Sequence, residues 1–211
     1  MKLLYLLFLF VFNSYTQVDH LKDATKEFKK KLQNLASYYE QGDYEKELQA
    51  ICKSSLSNLY NPDNNSVIIF DIDETALTDY YFFKSQNFDW TIEDAFQFRK
   101  SSTSAAIKPV FDFYTAVRNL GFKVIFITSR RSTLQEATEK NLQKEGYTDY
   151  EQLILLPIEL FNAGVKHEEW KAEKRAELAQ KYNIVASISD SDKDFEGGNT
   201  GFKIKLPNYL Y

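Results

Sequence analysis

Two carboxylates spaced two residues apart, Asp71 and Asp73 in "DIDET", follow directly on the apolar run "VIIF". A carboxylate at Asp71 can attack phosphorus and form an aspartyl-phosphate, which splits one hard hydrolysis into two easier displacements. Asp73 can then protonate the departing alkoxide and, in the second step, activate water as a base. An anionic nucleophile approaches an anionic phosphate only where charge is neutralised, and other parts of the chain offer the means. Asp190 and Asp194, after "IVASIS", are hard oxygen donors suited to Mg²⁺. Thr128 can hydrogen-bond a phosphoryl oxygen, and Lys171, near the start of a helical stretch, brings a positive charge.

These residues act together only if the fold gathers them. A short β-branched apolar run reads as a strand buried on both faces, the kind found in a parallel sheet. After Asn65 such runs alternate with helical patterns, which predicts a doubly wound α/β domain. The strands are "SVIIFD", "FKVIFIT", "LILLP", "IVASISD" and "FKIKLP". Between them, Pro109 opens a helix that Gly121 closes, and Ser132 is the expected N-cap of a helix with Glu136 in its first turn and Gly146 after it. "TIEDAFQFRK" and "EEWKAEKRAELAQKY" also read as helical. Upstream, amphipathic helices are expected from Val18 to Tyr39 and from Tyr44 to Leu59, the second stopped by "NPDNN". Ligands of open parallel sheets bind beyond the carboxyl ends of the strands. The ends of the first, second and fourth strands read "DIDET", "TSR" and "SDSDKD", which points to one site.

Composition narrows the partners. The 211 residues are 44% hydrophobic and 27% charged with 7 Gly and 4 Pro, which excludes collagen-like and disordered classes. A net charge of −4 with no basic stripe makes polymeric nucleic acid an unsuitable partner, whereas a small phosphate ester needs only a few cations in one cleft. Residues 1–16, "MKLLYLLFLFVFNSYT", pair Lys2 with an apolar stretch from Leu3 to Phe12 and small residues Ser14 and Thr16, the pattern of a cleaved secretory signal. That stretch is too short for the ~20 residues of a bilayer span, so the expectation is an exported chain with no stable membrane span after cleavage. Cys52 stands alone and forms no internal bridge; with Leu48, Ile51, Leu56 and Leu59 it falls on one helical face as an inert buried thiol.

The residues also carry a family resemblance. "DIDET", "VIFITSR", "WKAEKRAEL" and "ISDSDKDFEGGNTGFKIKLPN", in that order and spacing, resemble the four motifs of the haloacid dehalogenase (HAD) superfamily. Within it the chain is similar to the exported acid phosphatases of the class B/C and plant vegetative-storage-protein type, over roughly Tyr38 to the C-terminus. The resemblance implies a HAD-like Rossmannoid doubly wound sheet with N-terminal helices and a small helical cap. It places one domain over 17–211, with residues 79–106 as the cap segment.

Carried over, it makes Asp71 the nucleophile, Asp73 the acid/base, and Thr128, Ser129 and Lys171 the substrate binders. The Mg²⁺ set would be Asp71, Asp73 through its backbone carbonyl, Asp190, and Asp194 as an outer or water-mediated ligand. Thr75 would fix the loop. The chain departs from the pattern at Ser189, where the family has Gly before the fourth-motif aspartate, and at Ser129, where Gly precedes the retained Arg130. The resulting expectation is a Mg²⁺-dependent phosphomonoesterase, an acid phosphatase whose substrates include nucleoside monophosphates as candidates.

Alternatives remain at this level. Acids after a strand can simply cap a turn, and most helical lysines are solvated. Tyr80, Tyr81, Phe82, Phe83, Phe88 and Trp90 read as core or as a stacking wall; His20 and His167 have no evident partner. An aspartyl-phosphate can be intercepted by an alcohol, so a phosphotransferase fits the same residues. A non-enzymatic storage or binding protein on this fold is the reading from another class, and it needs none of the four residues Asp71, Asp73, Lys171 and Asp190. The amphipathic N-terminal helices leave an apolar face that could serve a homo-oligomer.

Overall fold

The computed structural model describes residues 26–210. The expected signal segment and His20 lie outside the described residues. The described residues fall into two compact units that divide between Tyr44 and Glu45. In the first, helix α1 covers residues 26–40, and Tyr38, Tyr39 and Tyr44 form an aromatic cluster with ring centroids 4.4–5.8 Å apart. Helix α2 (Asp43–Leu56) follows, with Leu48 and Cys52 buried and the thiol free.

The second unit is built on five parallel strands: β1 (Ser66–Phe70), β4 (Lys123–Arg131), β5 (Gln152–Leu156), β6 (Asn183–Ser189) and β7 (Phe202–Lys205), in the order β5-β4-β1-β6-β7. All five β1 residues are buried, as a continuous apolar run in a two-sided parallel sheet requires. Helices α5 (Lys108–Asn119), α6 (Gln135–Lys144), α7 (Ile158–Asn162) and α8 (His167–Leu178) connect the strands and cover both sides of the sheet. Pro109 opens α5, where its missing N–H is no loss, and Gly121 follows the helix at φ 97°.

Helix α8 is fixed by Trp170, fully buried against Ile69, Ile125, Ile127 and Leu156. Because Lys171 is the next residue, packing of the indole on the sheet sets where the ammonium emerges. Truncating such a buried Trp costs about 3–5 kcal/mol.

Between β1 and β4 the chain makes a helical insert. It leaves and returns through a two-residue antiparallel ladder, β2 (Leu77–Thr78) with β3 (Ala105–Ala106). The insert carries α3 (Tyr80–Ser85) and α4 (Ile92–Arg99). A reciprocal capping box starts α4: Thr91 Oγ1 accepts from the Asp94 N–H, and the Asp94 carboxylate accepts from the Thr91 N–H. The rings of Phe82 and Phe98, 4.5 Å apart and stacked, tie α3 to α4, and Phe83 stacks on Trp90. Much of the aromatic run is thus used in the insert's own packing.

One local expectation changes. Ser132 does not cap α6; it opens a 3₁₀ turn (Ser132–Leu134), and α6 begins after Leu134 with no side-chain cap. The Ser132 hydroxyl instead accepts from the Ile158 N–H at 3.0 Å, because α7 brings a backbone donor from another connection to the same place.

Candidate active site

The carboxyl ends of β1, β4 and β6 open into one cleft of about 370 Å³. Asp71, Asp73, Ser129, Lys171, Asp190 and Asp194 all line it, so six of the seven residues singled out in the sequence meet there. Thr128 is fully buried and is not among the lining side chains. Its hydroxyl accepts from the Arg130 N–H at 3.2 Å, inside the turn that ends β4. The β4–β5 register shifts between Thr128 and Arg131, a bulge of the kind that re-aims side chains beside functional sites.

Asp71 continues β1, its N–H donating to Ile188 O at 3.0 Å. Its Oδ1 accepts from Lys171 Nζ at 2.7 Å, while Oδ2 accepts no hydrogen bond from the described residues. Lys171 also donates to Asp194 Oδ2 at 2.6 Å, and that oxygen accepts from Ser189 Oγ at 2.7 Å. Ser189 further accepts from the Ser191 N–H, so the serine that replaces the family's glycine tightens this loop. Burial, and then the Asp194, Asp190 and Asp73 charges, push the Asp71 carboxyl up to about 8 against the pull of Lys171. Lys171 itself is held above the usual lysine range, since Asp71 and Asp194 outweigh its burial.

Asp190 sits at the end of β6. Thr75 Oγ1 accepts from its N–H at 3.0 Å and donates to Oδ1 at 3.2 Å, and Asn208 donates to Oδ2 at 2.7 Å. Thr75 therefore joins the loop after β1 to the loop after β6. That loop turns sharply at Glu74, φ 51°, whose buried carboxylate accepts from the Asp79 N–H and Thr78 Oγ1, each at 2.7 Å.

Several contributors were given no role by the sequence. Arg130, its side chain fully buried, donates to Asp73 Oδ1 through Nε at 3.0 Å and Nη2 at 2.7 Å. Arg99, at the end of α4, places Nε 3.2 Å from the same oxygen and donates to Asp79 Oδ2 at 2.7 Å. Burial alone would raise the Asp73 carboxyl, but Arg130 and Arg99 outweigh it and hold it below the usual carboxylate range. Arg175, one turn beyond Lys171, donates to the carbonyls of Asp194, Glu196 and Gly198. His167 also lines the cleft, half-buried. Arg131 stacks between Phe96 and Phe161, 4.3 and 4.1 Å from their centroids, and pairs with Glu93. The only hint of these in the sequence was Arg130 beside "TS"; the others sit among many similar charged residues.

The donor set suits a hard divalent cation. Asp71 and Asp190 are buried carboxylates at neighbouring strand ends, each shifted upward because burial and like charges disfavour ionisation, so a cation between them would be favoured.

A five-stranded parallel sheet with helices on both sides, whose strand ends gather paired carboxylates and a buried lysine in one cleft, makes this an α/β protein with its candidate site where such sheets bind ligands. The chain belongs to the HAD superfamily, subfamily IIIB (acid phosphatase), whose pattern matches residues 11–211. It is 29% identical to acid phosphatase 1 of Solanum lycopersicum over 154 residues, 71% of this chain and 60% of that protein. Vegetative storage protein 1 of Arabidopsis thaliana is 30% identical, over 71% of this chain and 56% of that protein. The chain thus spans less than two thirds of these relatives' length. The class C acid phosphatase from Bacillus anthracis with tungstate bound superposes with a TM-score of 0.67 at 17% identity, covering 86% of this chain and 85% of that one, which establishes the shared fold.

Proposed function

We propose that the protein is a Mg²⁺-dependent phosphomonoesterase acting on small phosphate esters through an aspartyl-phosphate on Asp71. One observation carries the reading: Asp71 is fixed by Lys171 through Oδ1 and keeps Oδ2 unengaged among the described residues, in a cleft large enough for a small ester. Oδ2 attacks phosphorus in line with the ester oxygen, the P–O bond breaks, and Asp73 passes a proton to the leaving alkoxide. Asp73 then takes a proton from the water that cleaves the aspartyl-phosphate.

Asp71, Asp190 and the Asp73 carbonyl would hold Mg²⁺, which neutralises phosphoryl charge when bound. Lys171 supplies the fixed positive charge, and Ser129 and the turn at Thr128 lie where phosphoryl oxygens would be received. Trp90, Ile92, Phe96 and Phe161 give the cleft an apolar wall, which fits an aryl or nucleoside leaving group. The N-terminal pattern supports cleavage after residue 16 and export, and among the described residues no helix is long and apolar enough to cross a membrane.

The test is phosphate release from p-nitrophenyl phosphate and a nucleoside monophosphate, with and without Mg²⁺, beside Asp71→Asn. Metal-dependent turnover that the variant lacks is expected. No turnover by the wild type at any pH tried would shift the reading to storage or binding, and phosphate appearing on an added alcohol instead of water would mark a phosphotransferase.

A further inference from the structure

Asp73 is gripped asymmetrically. Three arginine nitrogens crowd Oδ1: Arg130 Nε and Nη2 at 3.0 and 2.7 Å, and Arg99 Nε at 3.2 Å. Oδ2 accepts no hydrogen bond from the described residues. The two arginines differ in origin. Arg130 belongs to the end of β4, and its Nη1 is tied to Thr138 of α6, so it is part of the sheet's scaffold. Arg99 is the last residue of α4, inside the insert, and lines the cleft.

Arg99 is itself held on its other side. It donates to Asp79 Oδ2 at 2.7 Å, and Asp79 Oδ1 accepts from Ser104 Oγ at 2.5 Å. Asp79 precedes α3, and Ser104 precedes β3, so this one carboxylate joins the two ends of the insert. The Asp79 N–H in turn donates to Glu74, the residue after Asp73. The insert's base and the catalytic turn therefore share one continuous set of polar contacts, with Arg99 as the link that reaches the Asp73 side chain.

We propose that Arg99 is a positioning residue: docked through Asp79, it pins Oδ1 of Asp73 from the insert side and so leaves Oδ2 as the oxygen that delivers the proton to the leaving group. The assignment rests on the phosphatase reading above. In the step concerned the P–O electron pair goes to the leaving oxygen, the Oδ2 proton follows it, and Asp73 is left as carboxylate against Arg99 and Arg130. Arg130 alone fixes one edge of the carboxylate from the sheet; the second guanidinium removes the remaining freedom of rotation. Proton delivery becomes dependent on α4 being seated.

The leaving group provides the readout, because a p-nitrophenolate departs without help whereas an alkoxide needs the proton. General acid catalysis is worth roughly 10²–10⁴-fold, so partial misalignment should cost a fraction of that on alkyl esters alone. For Arg99→Met the expectation is a fall of about tenfold or more in kcat/KM on glycerol 2-phosphate, with kcat/KM on p-nitrophenyl phosphate within about threefold, because kcat/KM reports the first displacement alone. Arg99→Lys, which keeps the charge, should recover part of the alkyl-ester rate, and Asp73→Asn should lose steady-state turnover of both esters, because the step in which Asp73 activates water is common to them. Equal losses of kcat/KM on both esters would overturn the assignment.

Asp71→Asn separates the two readings, since its loss of both activities tests the nucleophile and says nothing of Arg99. Should the wild type hydrolyse neither ester, a crystal structure of Arg99→Met still decides the positioning role: an Asp73 carboxylate in an unchanged rotamer overturns it, and a rotated or disordered one upholds it.

Discussion

Lys171 and Asp71, one hundred positions apart in sequence, meet at 2.7 Å with both side chains at most 10% exposed. The pair forms only because α8 is anchored by Trp170 on the same sheet whose central strand ends at Asp71. Lys171→Met would leave Asp71 and Asp194 facing each other without a cation. Losing one partner of a buried ion pair destabilises by about 3–5 kcal/mol, and the charge is also lost from the phosphate site. The expected result is a kcat reduced at least about 100-fold together with a lower urea midpoint, measured by initial rates and circular dichroism. A variant with wild-type kcat would remove Lys171 from the site.

Arg175 holds three backbone carbonyls of the loop that carries Asp194. Gly197 lets that loop lie flush on α8, since a Cβ there would stand 2.4 Å from Ala172 Cβ. Arg175→Leu should destabilise by at least about 2 kcal/mol, because hydrogen bonds to a charged group contribute about 1.5–3 kcal/mol each. Asp194 would move with the loop, so kcat should fall while the far-UV spectrum is retained. Urea unfolding with unchanged midpoint would show that solvent replaces the guanidinium without cost.

Cys52 is a packing residue with a pH signature. Burial, and then the Asp112 charge, push its thiol from 9.0 up to about 12. At pH 8 the native thiolate fraction is then about 10⁻⁴, against about 10⁻¹ for the unfolded chain, so thiol reagents should label the native protein about 10³-fold more slowly than the denatured one. The native state keeps a proton that the unfolded state releases between pH 9 and 12. Stability from this group is therefore complete below pH 9 and falls as pH rises towards 12. Cys52→Ala should flatten the pH dependence of unfolding in that window. Rapid labelling of the native protein would contradict the buried placement.

Mg²⁺ should stabilise the fold by mass action, by about 2.7 kcal/mol at one hundred times its dissociation constant. Chelation should lower Tm and addition restore it, whether or not a substrate is turned over. Asp190→Asn removes one charge from the donor set and should shift the metal titration at least about tenfold weaker. An Asp190→Asn titration identical to that of the wild type would place the metal elsewhere.

The sheet, and the acids that gather at its carboxyl edge, were legible in the residues alone. Short β-branched runs bounded by turn residues favour buried strands, and a carboxylate directly after such a run emerges at the strand's carboxyl end. Hence β1, β4, β5, β6 and β7, the helices α4, α5, α6 and α8, and the gathering of Asp71, Asp73, Lys171, Asp190 and Asp194 were readable from local pattern and motif order, whereas α3, α7 and the β2–β3 ladder were not. What each side chain touches was not. Arg99 and Arg130 on Asp73, Arg175 under the Asp194 loop, Ser132 turned from its own helix to Ile158, and Thr128 turned inward to Arg130 are contacts between segments distant in the chain or set by a bulge. Periodicity states which face of an element is apolar. Partners for polar groups at element ends are chosen by burial, because each one withdrawn from water must find its donor or acceptor among whatever the packed fold brings within 3 Å or so.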